Sequence, residues 1–189
     1  MMDGHQMENT SENKLVDPKP LPNILLVDDK PANLMLLEKM LTARGYKARL
    51  VLSGKLALEA ARDEAPDLVI LDINMPEMNG YEVCEKLKSE DKLKDIPVVF
   101  VSALDETTDK VKAFRVGGVD YITKPFQLEE VEARVQMHLK LRRLHIEMEM
   151  QNRDIIARKR EEANLRRMAT VVRDSNDAIT IQRSLGSHL

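Results

Sequence analysis

Ile24-Leu25-Leu26-Val27-Asp28-Asp29 is the stretch on which the reading of this chain turns. Four consecutive apolar residues are too few for a helix and lack the alternation of a half-exposed strand. They read as a strand buried on both faces, which is the signature of a parallel sheet. The run ends in two acids, so whatever lies beyond the carboxyl end of this strand is negatively charged. Two more runs have the same form, Asp67-Leu68-Val69-Ile70-Leu71-Asp72 and Ile96-Pro97-Val98-Val99-Phe100-Val101-Ser102, and Val119-Asp120-Tyr121-Ile122-Thr123-Lys124 gives a fifth, more polar strand. Lys47 to Leu52 supplies another short strand. Between them lie helical patterns: Leu34, Leu37 and Leu41 share one face before Arg44-Gly45, Ser53 stands as the N-cap of a second helix, and a third runs from about Gly80 to Ser89. A fourth continues to about Val116 and is broken by Gly117-Gly118. Five βα units in about 115 residues predict an α/β domain with a doubly wound five-stranded parallel sheet, (βα)5 and flavodoxin-like.

The flanks differ in character. Residues 1–21 are polar and end in Asp17-Pro18-Lys19-Pro20-Leu21-Pro22, whose alternating prolines oppose both helix and ladder, so a disordered tail and stiff linker are expected. From Leu128 to Arg173 there is neither Gly nor Pro. A continuous helix there would measure about 70 Å, more than a domain of this size can cover. Leu141, Leu144, Met148, Ile155 and Leu165 fall on a heptad-like stripe that Gln151, Arg158 and Glu162 interrupt. Residues 143–173 are therefore expected to form a helical extension and a dimeric coiled coil with a weak seam. The stretch from Met168 to Ile181 resembles the start of a PAS sensory domain, a short helix, then Ser175-Asn176-Asp177-Ala178, then a first strand, and residues 174–189 are read as its continuation. Such a domain needs about a hundred residues and cannot close here, so a truncated start or a disordered tail is expected.

Composition narrows the function. Of the 189 residues, 43% are hydrophobic, which is enough for a core and rules out wholesale disorder. No apolar run is long enough to cross a membrane, and the N-terminus lacks the pattern of a secretory signal. A single cysteine, Cys84, excludes a disulfide framework and a multi-cysteine metal site, and the cytoplasm is the expected location. A net charge of −3 and interleaved acids and bases along the C-terminal helix argue against nucleic acid as a partner.

In an open parallel sheet, ligands gather outside the carboxyl ends of the strands where the strand order reverses. Strand one ends in Asp28 and Asp29, strand three in Asp72, strand four in Ser102 and strand five in Lys124. Three converging carboxylates would repel one another, and a hard divalent cation such as Mg²⁺ resolves the repulsion. An ammonium and a hydroxyl around one carboxylate complete what phosphoryl transfer to that carboxylate needs. Acids that merely cap the following helices could account for Asp28 or Asp29, but not for Asp72 before Met75-Pro76 together with Lys124-Pro125.

The chain closely resembles the receiver domain of two-component response regulators. The motifs that carry the resemblance are Ile24–Asp29, Leu71-Asp72-Ile73-Asn74-Met75-Pro76-Glu77-Met78-Asn79-Gly80, Val101-Ser102-Ala103 and Tyr121-Ile122-Thr123-Lys124-Pro125-Phe126. They cover roughly residues 22–142, in order and at family spacing. The resemblance implies strand order 2-1-3-4-5 and transfer of a phosphoryl group from a sensor histidine kinase to Asp72. It implies that Mg²⁺ is held by Asp28, Asp29, Asp72 and the Asn74 carbonyl, and that Ser102 and Lys124 bind the phosphoryl oxygens. Ser102 and Tyr121 would then switch the face formed by helix four, strand five and helix five. The Lys124-Pro125 bond is cis in the family. Asn74 and Leu104 occupy the positions that tune phosphoryl loss, and the apolar Leu104 leads to an expectation of slow autodephosphorylation.

The expected activity is that of a phosphoacceptor that catalyses its own modification, not of an enzyme with a separate substrate. A homodimer through the C-terminal helix, the switching face or both is expected. A stand-alone phosphorelay or adaptor protein acting by protein contact is the alternative, ahead of an RNA-binding antiterminator. A DNA-binding regulator is disfavoured because no helix-turn-helix fits after the coil. A phosphohydrolase sharing the Asp nucleophile would need a second acid where Asn74 stands.

Overall fold

The computed structural model describes residues 20–103 and 107–186, and their side chains over 20–103 and 111–168. Residues 1–19 of the expected N-terminal tail, Leu104 and the last three residues lie outside that range.

Three strands are buried along their whole length: β1 (Asn23–Val27), β3 (Leu68–Asp72) and β4 (Val98–Ser102). Their apolar runs admit no solvent face, so each must be covered by helices above and below. β2 (Lys47–Val51) and β5 (Asp120–Thr123) are half-buried and form the two edges. All pairings are parallel, in the order β2-β1-β3-β4-β5. This is the doubly wound (βα)5 sheet that the apolar runs predict.

The helices are α1 (Pro31–Thr42), α2 (Gly54–Asp63), α3 (Gly80–Ser89), α4 (Thr107–Arg115) and α5 (Leu128–Gly186). α1 starts on Pro31, whose fixed φ suits the first helical position, and buries Leu34, Leu37 and Leu41. Ser53 caps α2 by accepting from the Leu56 N–H. α3 opens with a reciprocal capping box between Asn79 and Glu82. Val83, Cys84 and Leu87 of α3 join Ala57, Leu58 and Ala61 of α2 in one core with β1, β3 and β4. Phe100 lies fully buried in it, with its ring 5.5 Å from that of Tyr81.

Register places the chemistry. Val27 pairs with Leu71, so Asp28 follows β1 beside Asp72 at the end of β3. Asp72 pairs with Val101, and Ser102 with Thr123, which brings the last residues of β4 and β5 to the same edge. The strand order reverses between β1 and β3, and the acids sit there. The opposite edge is tied by Arg49, which donates to the Asn23 side chain (2.9 Å) and to the Ala60 carbonyl (3.0 Å).

The chain divides into two compact units between Glu132 and Ala133. α5 begins in the first and continues unbroken through the second for a total of 59 residues. Ile179-Thr180-Ile181, expected to open a first strand after Ser175–Ala178, are helical. An isolated strand has no ladder partner to satisfy its backbone, and nothing from Leu128 to Leu185 is Gly or Pro, so the helix runs on to Gly186.

Candidate phosphoacceptor site

Asp28 and Asp72 are both buried, and Lys124 reaches them together. Its ammonium donates to Asp28 Oδ2 at 2.8 Å and to Asp72 Oδ1 at 2.7 Å. The bond between Lys124 and Pro125 is cis, as in the family that the motifs resemble, and the Lys124 N–H donates to the Ser102 carbonyl at 2.8 Å. Burial on its own would lower the Lys124 ammonium, but its bonds to the two carboxylates outweigh this and raise it above its ordinary value, so it stays charged. Burial pushes the Asp72 carboxyl above the ordinary range. Lys124 pulls the other way, and Asp28 and Asp29 add to the rise.

Asp28 is fully engaged. Oδ1 accepts from the Lys30 N–H (2.8 Å) and from the Asn33 amide (3.0 Å), while Oδ2 accepts from the same amide (2.8 Å) and from Lys124. A carboxylate has about four acceptor sites, so these bonds leave Asp28 little capacity for direct contact with an ion. Asp29 is the opposite case: its Oδ1 is buried and has no hydrogen-bond partner. An orphaned carboxylate oxygen of this kind calls for a cation. One ligand oxygen from each of Asp28, Asp29 and Asp72 lies within 4.8 Å of the others. The donor set is all oxygen and fits a hard divalent ion. Asp29 and Asp72 are the residues with capacity for direct contact, and Asp28 stands behind them.

The loop after Asp72 is held by two backbone bonds, Ile73 N–H to the Val101 carbonyl (3.1 Å) and Gly80 N–H to the Ile73 carbonyl (2.9 Å). Asn74 is exposed in this loop, and Glu77 takes a left-handed φ of 63° to turn the chain back into α3. At Gly80 any Cβ would fall on the Asp72 carbonyl oxygen and against the Ile73 backbone, so only glycine lets α3 start this close to the acceptor strand. Ser102 is buried at the end of β4.

A sequence model described as the response regulator receiver domain matches residues 24–136, more than half of the chain. The chain belongs to the response regulator receiver family. Among its curated relatives, the probable transcriptional regulator ycf27 of Pyropia yezoensis is 39% identical over 117 residues, 62% of this chain and 47% of that protein. The response regulator PleD of Caulobacter vibrioides is 42% identical over 113 residues, 60% of this chain and 25% of that protein. The chain thus spans between a quarter and a half of the curated relatives it matches. Among solved structures, the receiver domain of a sensor histidine kinase from Pseudomonas aeruginosa PAO1, with magnesium coordinated in its active-site cleft, is 27% identical. That match has a TM-score of 0.60 and covers 64% of this chain and 99% of the other.

Within the receiver, the structure brings Asp28, Asp29, Asp72 and Lys124 together and puts Ser102 on the same sheet edge. Tyr121 lies on β5 with its ring half-buried, edge-on to the exposed Phe114 of α4 at 6.5 Å. Asn33 and Gly80 are site residues that reading the sequence by motif does not single out as such. Asn33 follows Asp28 by five residues, which puts it on the first turn of α1. That spacing is the one signal that could have flagged it.

Proposed function

We propose that this receiver accepts a phosphoryl group on Asp72 from a phosphohistidine of a sensor histidine kinase, with Mg²⁺ bound. The phosphorus–nitrogen bond of the donor breaks, an Asp72 carboxylate oxygen forms the new phosphorus–oxygen bond, and the departing imidazole takes a proton from solvent. Asp29 and Asp72, together with the Asn74 carbonyl, would hold the ion, with Asp28 behind them. Bound there, the ion supplies positive charge for the carboxylates and the incoming phosphoryl group. Lys124 orients Asp72 and neutralises charge on the phosphoryl oxygens, and the Ser102 hydroxyl donates to one of them.

Once the group is attached, Ser102 moves toward it and Tyr121 turns inward behind it. The surface formed by α4, β5 and the start of α5 then changes its preferred partner, which is how a local charge event becomes an output. A second copy of the chain would be the partner, held through this face, the C-terminal helix or both.

The observation that carries this reading is one ammonium bridging two buried carboxylates while a third carboxylate beside them keeps an unpartnered buried oxygen. A carboxylate cluster built for stability alone would not leave that oxygen bare. The test is incubation with acetyl phosphate or phosphoramidate and Mg²⁺, read by intact mass. Wild type should gain one phosphoryl group, labile to hydroxylamine and absent when the ion is chelated. Asp72→Asn should gain none. A label of the same stoichiometry on Asp72→Asn would remove Asp72 from the role.

A further inference from the structure

The second unit carries a row of apolar side chains facing solvent. Leu141, Leu144, Met148, Ile155 and Leu165 are each about half exposed or more. Counted as heptads, Leu141, Met148, Ile155 and Glu162 take the a positions, and Leu144, Gln151, Arg158 and Leu165 the d positions. That period fixes the flanks. The g positions, just before each a, hold Lys140, Glu147, Asp154 and Glu161. The e positions, just after each d, hold His145, Asn152, Lys159 and Arg166. From residue 145 on, one flank is acidic and the other basic or neutral.

This segregation distinguishes the two ways of pairing such a helix with its own copy. In an antiparallel pair, g faces g and e faces e, so acids meet acids, while Lys159 and Arg166 face only Asn152 or His145 and find no acid. In a parallel pair, each g faces the e five residues further along the other helix. Asp154 then faces Lys159 of the partner subunit, Glu161 faces Arg166 of the partner subunit, and Glu147 faces a neutral Asn152 of the partner subunit. Symmetry doubles every attraction. Arg166 already bonds Glu162 in its own helix at 2.6 Å. A guanidinium has five donors, so it can hold that bond and take the facing Glu161 as well.

We propose that a second copy of this chain covers this face, as a parallel, in-register two-stranded coiled coil over residues 141–165. The inference rests on the reading above for the homodimer and on nothing that happens at Asp72. Gln151, Arg158 and Glu162 interrupt the seam. Burying them lowers affinity, but a shift by one heptad would set one copy of Gln151 against Leu144, one of Arg158 against Leu165 and one of Glu162 against Ile155, so they also favour the register. The result is a reversible dimer with one alignment.

Cysteine crosslinking of the full chain tests this. The native Cys84 is buried and stays out of the reaction. Gln151→Cys and Arg158→Cys sit at d positions and remove no apolar contact. Each is oxidised alone and in a mixture in which one variant carries a mass tag. The series is run with and without acetyl phosphate and Mg²⁺, and again in the Asp72→Asn background. The parallel register gives homotypic dimers at both positions, exceeding the mixed 151–158 product at least tenfold. A mixed product that equals or exceeds the homotypic ones overturns the orientation. No crosslink in any condition, with monomeric mass by light scattering, overturns the dimer.

A second variant pair guards against local unfolding. Lys159→Glu with Arg166→Glu should weaken self-association at least tenfold, and mixing it with Asp154→Lys with Glu161→Lys should restore a heterodimer. No restoration would overturn the charge pairing. Crosslinking that persists while wild type fails to take up phosphoryl would leave the coil intact and remove the phosphoacceptor reading. The converse result would do the reverse.

Discussion

Asn33 donates one amide to both oxygens of Asp28, and Lys124 shares one of those oxygens. The amide therefore fixes the carboxylate plane against which Lys124 is positioned. Hydrogen bonds to a charged group are worth about 1.5–3 kcal/mol. Asn33→Ala should slow adduct formation from phosphoramidate about tenfold while the folded state persists by circular dichroism. An unchanged rate would mean that Lys124 and the Lys30 N–H suffice to hold Asp28. Asp72 makes a separate prediction through its proton. Its carboxyl is raised above 3.8, so between that value and its folded pKa the native state binds a proton that the unfolded chain has released. Stability therefore falls as pH rises through that window, and the deficit persists above it. Without divalent ions at pH 7, Asp72→Asn should melt higher than wild type, and the difference should vanish in acid below pH 3.8. The acids and Lys124 were legible because a charged residue at the end of an apolar strand has few structural uses. Asn33 was not, because an amide on a helix is commonplace until the rotation of that helix is known.

At the scale of elements, α3 starts where the Asp72 carbonyl leaves no room for a Cβ. Gly80→Ala must push the start of α3 or the end of β3 aside, and forcing a group into a packed core costs about 1–3 kcal/mol. Urea unfolding should show a loss of that size, and phosphoryl uptake should fall because the strand that carries the acceptor has shifted. A loss of stability with full uptake would mean that the helix yields and the strand does not. Strand identity was readable because burial on both faces leaves an uninterrupted apolar run. Helix α5 was readable as far as 173 from its lack of Gly and Pro. The expected strand from Ile179 failed for a reason of pairing. Ile179-Thr180-Ile181 has β-forming residues, but β propensity is expressed only against a neighbouring strand.

At the scale of the whole molecule, the described helices include none long and apolar enough to cross a membrane. The sheet has a chemical edge and a stapled edge. At the first, three carboxylates crowd within 4.8 Å. At the second, Arg49 ties Asn23 to the last turns of α2. An ion that binds only the folded acids stabilises the fold by about 2.7 kcal/mol at a hundred times its dissociation constant. Mg²⁺ should therefore raise the melting temperature by several degrees. Asp29→Asn should lose that shift and, with one charge removed from the three clustered carboxylates, should melt higher than wild type in chelator. A wild-type melting temperature indifferent to Mg²⁺ would place the ion elsewhere. The bridge from Lys124 to Asp28 joins residues 96 apart in sequence, and that to Asp72 residues 52 apart. During synthesis, then, both acid-bearing strands emerge from the ribosome well before the lysine that completes their pocket. A chain still being made cannot answer a kinase, and competence to be phosphorylated becomes a certificate that the sheet has closed as far as its last strand.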